Sequence, residues 1–240
     1  MQSFRSAPDP LDPGPRGFAH RGLHGPGTPE NSLAAFRAAL DAGAGIECDV
    51  RLSADGEPVV FHDHDLRRMC ASALAVEATG AVVLSRLQLF DSGQHIPRLT
   101  ELLDMVGGRV PILIELKTRG GNARRLAAAV VLRLAAYEGP VGVMSFDPAV
   151  GKWLARHAPE IRRGLVISGR ASAFDRWRSK LSANPHFLAV DLGAITRRWV
   201  ERSRGKRWIY SWTIRSAADR ETGAVHADAL IWEGDGGPRS

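Results

Sequence analysis

Short apolar runs recur along the chain near residues 18, 46, 111, 141, 164, 187, 208 and 229, each of strand length and bounded by polar or glycine-rich segments. Stretches with helical spacing lie between several of them. Ser32 to Ala42 carries Leu33, Phe36 and Leu40 and stops at Gly43. Thr100 to Val106 ends at Gly107-Gly108, and Asn122 to Tyr137 is apolar on one side through Leu126, Val130 and Leu134. Pro148 to His157 and Ala218 to Thr222 read as further helices. Eight strands alternating with helices predict an α/β chain folded as a single (β/α)8 TIM barrel. One more apolar run, Pro58 to Phe61, falls outside that count, followed by an irregular stretch from Leu66 to Thr79 and a short turn at Ser85-Arg86-Leu87. Together these predict a small insertion after the second strand.

The length of 240 residues suits one such barrel, which runs at about 250 residues, and an apolar fraction of 44% supports a sizeable core. Residues 1–15, rich in Pro, Asp and Ser, read as a flexible arm leading into a domain over residues 16–240. No run of eighteen apolar residues occurs, so no membrane span and no stable membrane insertion are expected, and the N-terminus lacks the apolar centre of a secretory signal. Two cysteines, Cys48 and Cys70, give no disulfide framework and fit a reducing cytoplasm. A formal net charge of +6 and a pI near 10.0 raise nucleic acid as a partner. The densest basic run, Arg197 to Arg207, contains no groove-reading motif and reads as a solvated helix and loop, so no nucleic-acid partner is expected. The positive balance instead favours encounter with an anionic small molecule.

Candidate chemistry is concentrated between Phe18 and Asp65. His20-Arg21-Gly22 ends the first strand, and Thr28-Pro29-Glu30-Asn31 opens the first helix, with Thr28 or Asn31 as its cap. In the second strand Glu47 and Asp49 point to one face, about 7 Å apart along the chain, while Cys48 points to the other. Two acids in an apolar strand are costly unless paired or bound to a cation, the alternative being a solvated edge. His62 lies just past the Pro58–Phe61 run, where it is either a surface residue or part of a loop site. Glu115 and Lys117 share one face at the end of an apolar strand, as a structural ion pair or as a metal ligand and a phosphate contact. Neither a GxGxxG nor a Walker lysine loop occurs, which disfavours a nucleotide-binding fold.

The ordered set His20-Arg21-Gly22, PEN-x-x-x-AF at Pro29 to Phe36, IE-x-DV at Ile46 to Val50, DG-x-PVV-x-HD at Asp55 to Asp63 and IELK at Ile114 to Lys117 resembles the glycerophosphodiester phosphodiesterase family. The resemblance runs from Phe18 to about Glu233. It implies a barrel with its site at the C-terminal strand ends, and a divalent cation, Mg²⁺ or Ca²⁺, on Glu47, Asp49 and Glu115. By the same resemblance His20 and His62 form an acid/base pair, Arg21 and Lys117 bind phosphate, and Trp212 walls the substrate pocket or packs in the core. The implied reaction is metal-dependent hydrolysis of a glycerophosphodiester to sn-glycerol 3-phosphate and an alcohol. The chain departs from the family pattern at Arg215 and at Trp232-Glu233. Other readings are a lysophospholipase-D-like relative of the same fold, a metal- or anion-binding barrel without turnover, and a basic nucleic-acid module. The first needs an apolar rim, and no amphipathic membrane helix is evident in the sequence.

Overall fold

The computed structural model describes residues 9–238. Eight parallel strands close on themselves: β1 (Phe18–Ala19), β2 (Gly45–Leu52), β4 (Ile112–Leu116), β5 (Val141–Ser145), β6 (Arg162–Ile167), β7 (Phe187–Asp191), β8 (Trp208–Ile214) and β9 (Ala229–Trp232). Closure comes from β1, which pairs with β2 on one side and β9 on the other. Helices α1 (Leu33–Asp41), α4 (Leu99–Val106), α5 (Ala123–Leu134), α6 (Pro148–His157), α7 (Ala173–Ala183), α8 (Arg198–Arg204) and α9 (Ala217–His226) cover the outside. This is the expected (β/α)8 barrel, with each of the eight anticipated strands in place.

The insertion after β2 is also present. It carries the antiparallel strand β3 (Pro58–Val60), paired with the end of β2, and the short helices α2 (Arg67–Cys70) and α3 (Ala81–Leu84). The stretch from Leu66 to Thr79, read as irregular, contains α2 and a single helical turn at Val76–Ala78. It has a core of its own, in which Val59, Phe61, Leu66, Met69, Val76 and Leu84 are almost fully buried. That core fixes the loop carrying His62.

Two apolar layers hold the barrel. The outer one packs strand residues such as Ile46, Cys48 and Ile114 against the helices. The inner one fills the barrel itself: Phe18, Leu113, Met144, Val166, Phe187, Ala189, Tyr210 and Ile231 point inward on alternate strand positions. Glycine makes room for its rings. A Cβ on Gly45 would lie 2.7 Å from the Phe18 ring, and one on Gly164 would overlap the ring of Phe187. Phe187 in turn stacks on Tyr210, with centroids 4.7 Å apart.

The flexible arm expected over residues 1–15 falls partly outside the described residues. Within the described residues two points of this segment are tied to the barrel: Leu11 is 1% exposed, and Asp9 accepts a hydrogen bond from the Tyr210 hydroxyl and pairs with Arg162 at 3.2 Å. Leu11 belongs to the inner cluster and plugs the N-terminal end of the barrel. The first helix is capped by Ser32, whose Oγ accepts from the Ala35 amide, and not by Thr28 or Asn31. Asn31 is committed elsewhere. The basic run reads as anticipated: it forms α8 and its flanking turns, with Arg197 donating to the Gly169 carbonyl, Arg204 to Asp228, and Arg207 to the Pro185 carbonyl.

Two stability predictions follow from these contacts. Phe187→Ala opens a cavity over Gly164 and Tyr210 and should cost about 3–5 kcal/mol in urea denaturation. His186 accepts at Nδ1 from the Arg163 amide, and burial, with Arg163 and Arg162 nearby, depresses its pKa from 6.5 to about 4. The folded state therefore prefers neutral His186. Its contribution is complete above the unfolded value and is lost as pH falls through about 4. Because the side chain is only half-buried the effect is modest, up to ~1 kcal/mol. His186→Gln should flatten the fall in stability between about pH 7 and about pH 4.5 relative to wild type.

Candidate active site

The C-terminal ends of the strands gather the reactive side chains. Glu47 and Asp49 project inward from β2, and register places Asp49 opposite Glu115 of β4. One carboxylate oxygen from each of Glu47, Asp49 and Glu115 lies within 4.8 Å of the others. All three residues are buried, at 1%, 0% and 6% exposure. Cys48, between the two acids, faces the outer apolar layer, as the strand alternation requires.

Three buried carboxylates repel one another, and their surroundings respond unequally. Burial and then the charges of Asp49 and Glu115 push the Glu47 carboxyl well above its usual range. Burial also raises Glu115, against the opposing charge of Lys117. Burial would raise Asp49 too, but Lys117 and Arg21, with His62 and His20, outweigh it and hold Asp49 well below the usual carboxylate range. Lys117 Nζ sits 3.1 Å from Asp49 Oδ1 and 2.6 Å from Glu115 Oε1, and these partners keep it protonated despite its burial. Arg21 Nε is 3.0 Å from Asp49 Oδ2, while the Arg21 amide donates to Glu47 Oε2.

Glu47 Oε1 is buried without a hydrogen-bond partner, and Asp49 Oδ1 and Glu115 Oε1 face only the Lys117 ammonium. Three acids against two cations leave one negative charge over. An orphaned, acidic, all-oxygen cluster fits a hard divalent cation.

The PEN segment positions these groups. Asn31 clamps Asp49 from both sides: its Nδ2 donates to Asp49 Oδ2 at 2.9 Å, and its Oδ1 accepts from the Asp49 amide at 3.2 Å. Glu30 accepts from Arg21 Nη1 and from Arg68. Both Arg21 and Asn31 hold left-handed backbone, at φ 57° each. Such strain in non-glycine residues persists where surrounding contacts over-determine it.

The two histidines are held alike. His20 Nδ1 lies 2.6 Å from Glu233 Oε2, and Glu233 Oε1 accepts from Arg215 Nε at 2.7 Å. His62 Nδ1 lies 2.7 Å from Asp63 Oδ1, and Asp63 Oδ2 accepts from Arg68 Nε at 2.6 Å. With each carboxylate ionised, Nδ1–H donates and Nε2 is the atom presented to the site; His20 Nε2 is 3.9 Å from Glu47. Burial lowers the pKa of both imidazoles in spite of these partners. The hydrogen bond from His20, with His24 Nε2 nearby at 3.8 Å, holds Glu233 far below the usual carboxylate range.

Trp212 is half-buried at the mouth. Its Nε1 donates to the Ala189 carbonyl, and its ring meets Phe146 edge-on at 5.5 Å. Phe146 also lies 5.9 Å beneath Lys117 Nζ. The sequence-derived set is thus gathered at one end of the barrel. Added to it are Glu30, Asn31, Asp63, Arg68, Arg215 and Glu233. Asp63 is signalled by its place beside His62. Glu233, 213 residues from His20, has no local signal.

Residues 20–231 match the glycerophosphoryl diester phosphodiesterase family. The glycerophosphodiester phosphodiesterase of Caldanaerobacter subterraneus subsp. tengcongensis is 26% identical over 222 residues, covering 85% of this chain and 87% of that one. The fold is shared with an Oleispira antarctica phosphodiesterase solved in complex with the product sn-glycerol-3-phosphate, with a TM-score of 0.81, 24% identity, and coverage of 91% of this chain and 92% of that one. It is shared also with a Thermotoga maritima glycerophosphodiester phosphodiesterase, with a TM-score of 0.74, 28% identity and coverage of 90% and 92%. By this match over most of its length, the chain belongs to the glycerophosphoryl diester phosphodiesterase family.

Proposed function

We propose that the chain hydrolyses glycerophosphodiesters to sn-glycerol 3-phosphate and an alcohol, using a divalent cation, Mg²⁺ or Ca²⁺, held by Glu47, Asp49 and Glu115. The observation that carries this reading is the convergence of those three buried carboxylates beside two histidines, each oriented through Nδ1 by its own acid. The relative that holds sn-glycerol-3-phosphate on the same barrel supports the product.

A cation in this cluster would polarise the phosphodiester and neutralise charge on its non-bridging oxygens. The remaining steps fall to the protein's own groups. Arg21 and Lys117 border the carboxylates and provide cationic contacts for the phosphate, Arg21 as a planar fork and Lys117 as a point charge. As the bond from phosphorus to the nucleophile forms and that to the leaving alcohol breaks, one of His20 and His62 takes the nucleophile's proton. The other gives a proton to the departing alkoxide. Glu233 and Asp63 fix the tautomers that allow this, and Arg215 and Arg68 fix the acids. Trp212 and Phe146 form an apolar wall for the glycerol carbons. Both cysteines are free thiols, which supports a reducing cytoplasm as the compartment.

Metal-stripped protein should release no glycerol 3-phosphate from glycerophosphocholine in a coupled assay and should recover on adding Mg²⁺ or Ca²⁺. Equal rates in the stripped and reconstituted protein would remove the metal from the reading. His20→Ala and His62→Ala should each lower turnover by at least about a hundredfold. Near-normal rates in either would sink the acid/base roles. Glu233→Gln, which keeps the shape but not the charge beside His20, should lower kcat by about tenfold or more while KM changes little. An unchanged kcat would reduce Glu233 to a packing group.

A further inference from the structure

Helix α7 packs closely on its neighbour α6 through one small side chain. Ala183 is its buried residue, and Gly151 of α6 receives it so closely that a Cβ there would stand 2.7 Å from the Ala183 Cβ. At about 100° per residue, Phe174, Trp177 and Leu181 fall on the side opposite Ala183. They are 66%, 58% and 70% exposed, and the rings of Phe174 and Trp177 adjoin at 6.0 Å. Three large apolar side chains thus form one outward ridge.

Beside that ridge lies a cleft of about 530 Å³ between α6 and α7, lined by Arg124, Lys152, Arg156 and Arg178 and by one carboxylate, Asp147. The four cations are solvent-exposed, whereas Asp147 is occupied in capping α6 through the Ala149 amide and in a hydrogen bond with Thr118. On the other flank Arg176 and Lys180 turn away from the ridge to lie over the Trp199 ring, at 4.7 and 5.8 Å. The N-terminal end of α7 follows the C-terminal end of β6, so Phe174 is at the same end of the barrel as the carboxylates.

An aromatic and aliphatic ridge flanked by a row of cations matches the boundary of an anionic bilayer, where apolar side chains enter below the headgroups and Lys or Arg meet the phosphates. A second copy of this chain is a poorer occupant, because it brings the same cationic cleft and the same formal charge of +6. We propose that α7 docks the barrel peripherally on an anionic lipid bilayer, through Phe174, Trp177 and Leu181 with Lys152, Arg156 and Arg178 beside them. This surface lies along the flank of the barrel, and it stands independently of the reaction proposed above. It goes beyond the sequence reading, in which no amphipathic membrane helix is evident. No helix among the described residues is long and apolar enough to cross a membrane, so the association is one of surface contact.

The test is co-sedimentation of the full chain with vesicles of phosphatidylcholine alone or with about a third phosphatidylglycerol, at ~0.1 M and at ~0.5 M salt. Binding is expected to the anionic vesicles only, and weaker at the higher salt. The triple variant Phe174→Ser, Trp177→Ser, Leu181→Ser and the double variant Lys152→Glu, Arg178→Glu should each lose about tenfold or more in vesicle affinity. Both should keep wild-type thermal melting and wild-type rates on soluble glycerophosphocholine. No sedimentation with anionic vesicles, equal sedimentation with neutral ones, or undiminished binding by the triple variant would overturn the proposal. So would a concentration-dependent dimer in analytical ultracentrifugation that the triple variant abolishes, since the ridge would then belong to a second copy. Loss of glycerophosphocholine turnover in the wild type would count against the reaction alone and leave the docking result intact.

Discussion

Keeping three carboxylates together inside a barrel mouth is the constraint on which the rest of the structure depends. Glu47, Asp49 and Glu115 are removed from water, and no arrangement of apolar neighbours could keep them ionised. The protein answers with two cations placed asymmetrically. Lys117 bridges Asp49 and Glu115, and Arg21 reaches Asp49 through its side chain and Glu47 through its backbone. Asp49 collects most of that support and keeps its charge, while Glu47, with an oxygen that nothing satisfies, remains the most destabilised of the three. The cluster is therefore electrostatically incomplete, and the completing charge is positive.

The support extends outward in layers. Asn31 fixes Asp49, Glu30 fixes Arg21, and Arg68 ties Glu30 to Asp63 and so to His62. Left-handed backbone at Arg21 and Asn31 is held by these same bonds. On the opposite side Arg215 and Glu233 do for His20 what Arg68 and Asp63 do for His62. Each histidine therefore has an acid behind it and an arginine behind the acid. Low local dielectric strengthens such chains when every member is paired and makes a missing member costly. Arg215 and Glu233 thus pair with each other and with His20.

Packing supplies the rigidity that this network needs. Gly45, Gly142 and Gly164 leave space inside the barrel for Phe18, Leu11 and Phe187, so that one end is filled by rings while the other stays polar. The insertion after β2 carries its own apolar core and thereby holds the His62 loop against the mouth. Trp212 is held from two sides: its indole nitrogen is tied to the barrel through Ala189, and its ring meets Phe146, which lies beneath Lys117.

Much of this was legible in the sequence, and the division has a physical basis. Strand period and helical spacing determined the eight-strand barrel, and alternation in β2 and β4 placed Glu47, Asp49, Glu115 and Lys117 on inward faces, because both patterns act over a few residues. Helix α7 escaped the same reading since its large apolar residues face outward, which leaves no inward stripe for periodicity to detect. Asn31 passed for a helix cap because its residue type and position suit one, whereas its real partner, Asp49, is 18 residues away. The pairing of His20 with Glu233 depends on closure of the barrel, where β1 meets β9 across nearly the whole length of the chain. Local pattern fixes which way a side chain points, and only the closed tertiary structure decides what stands opposite it.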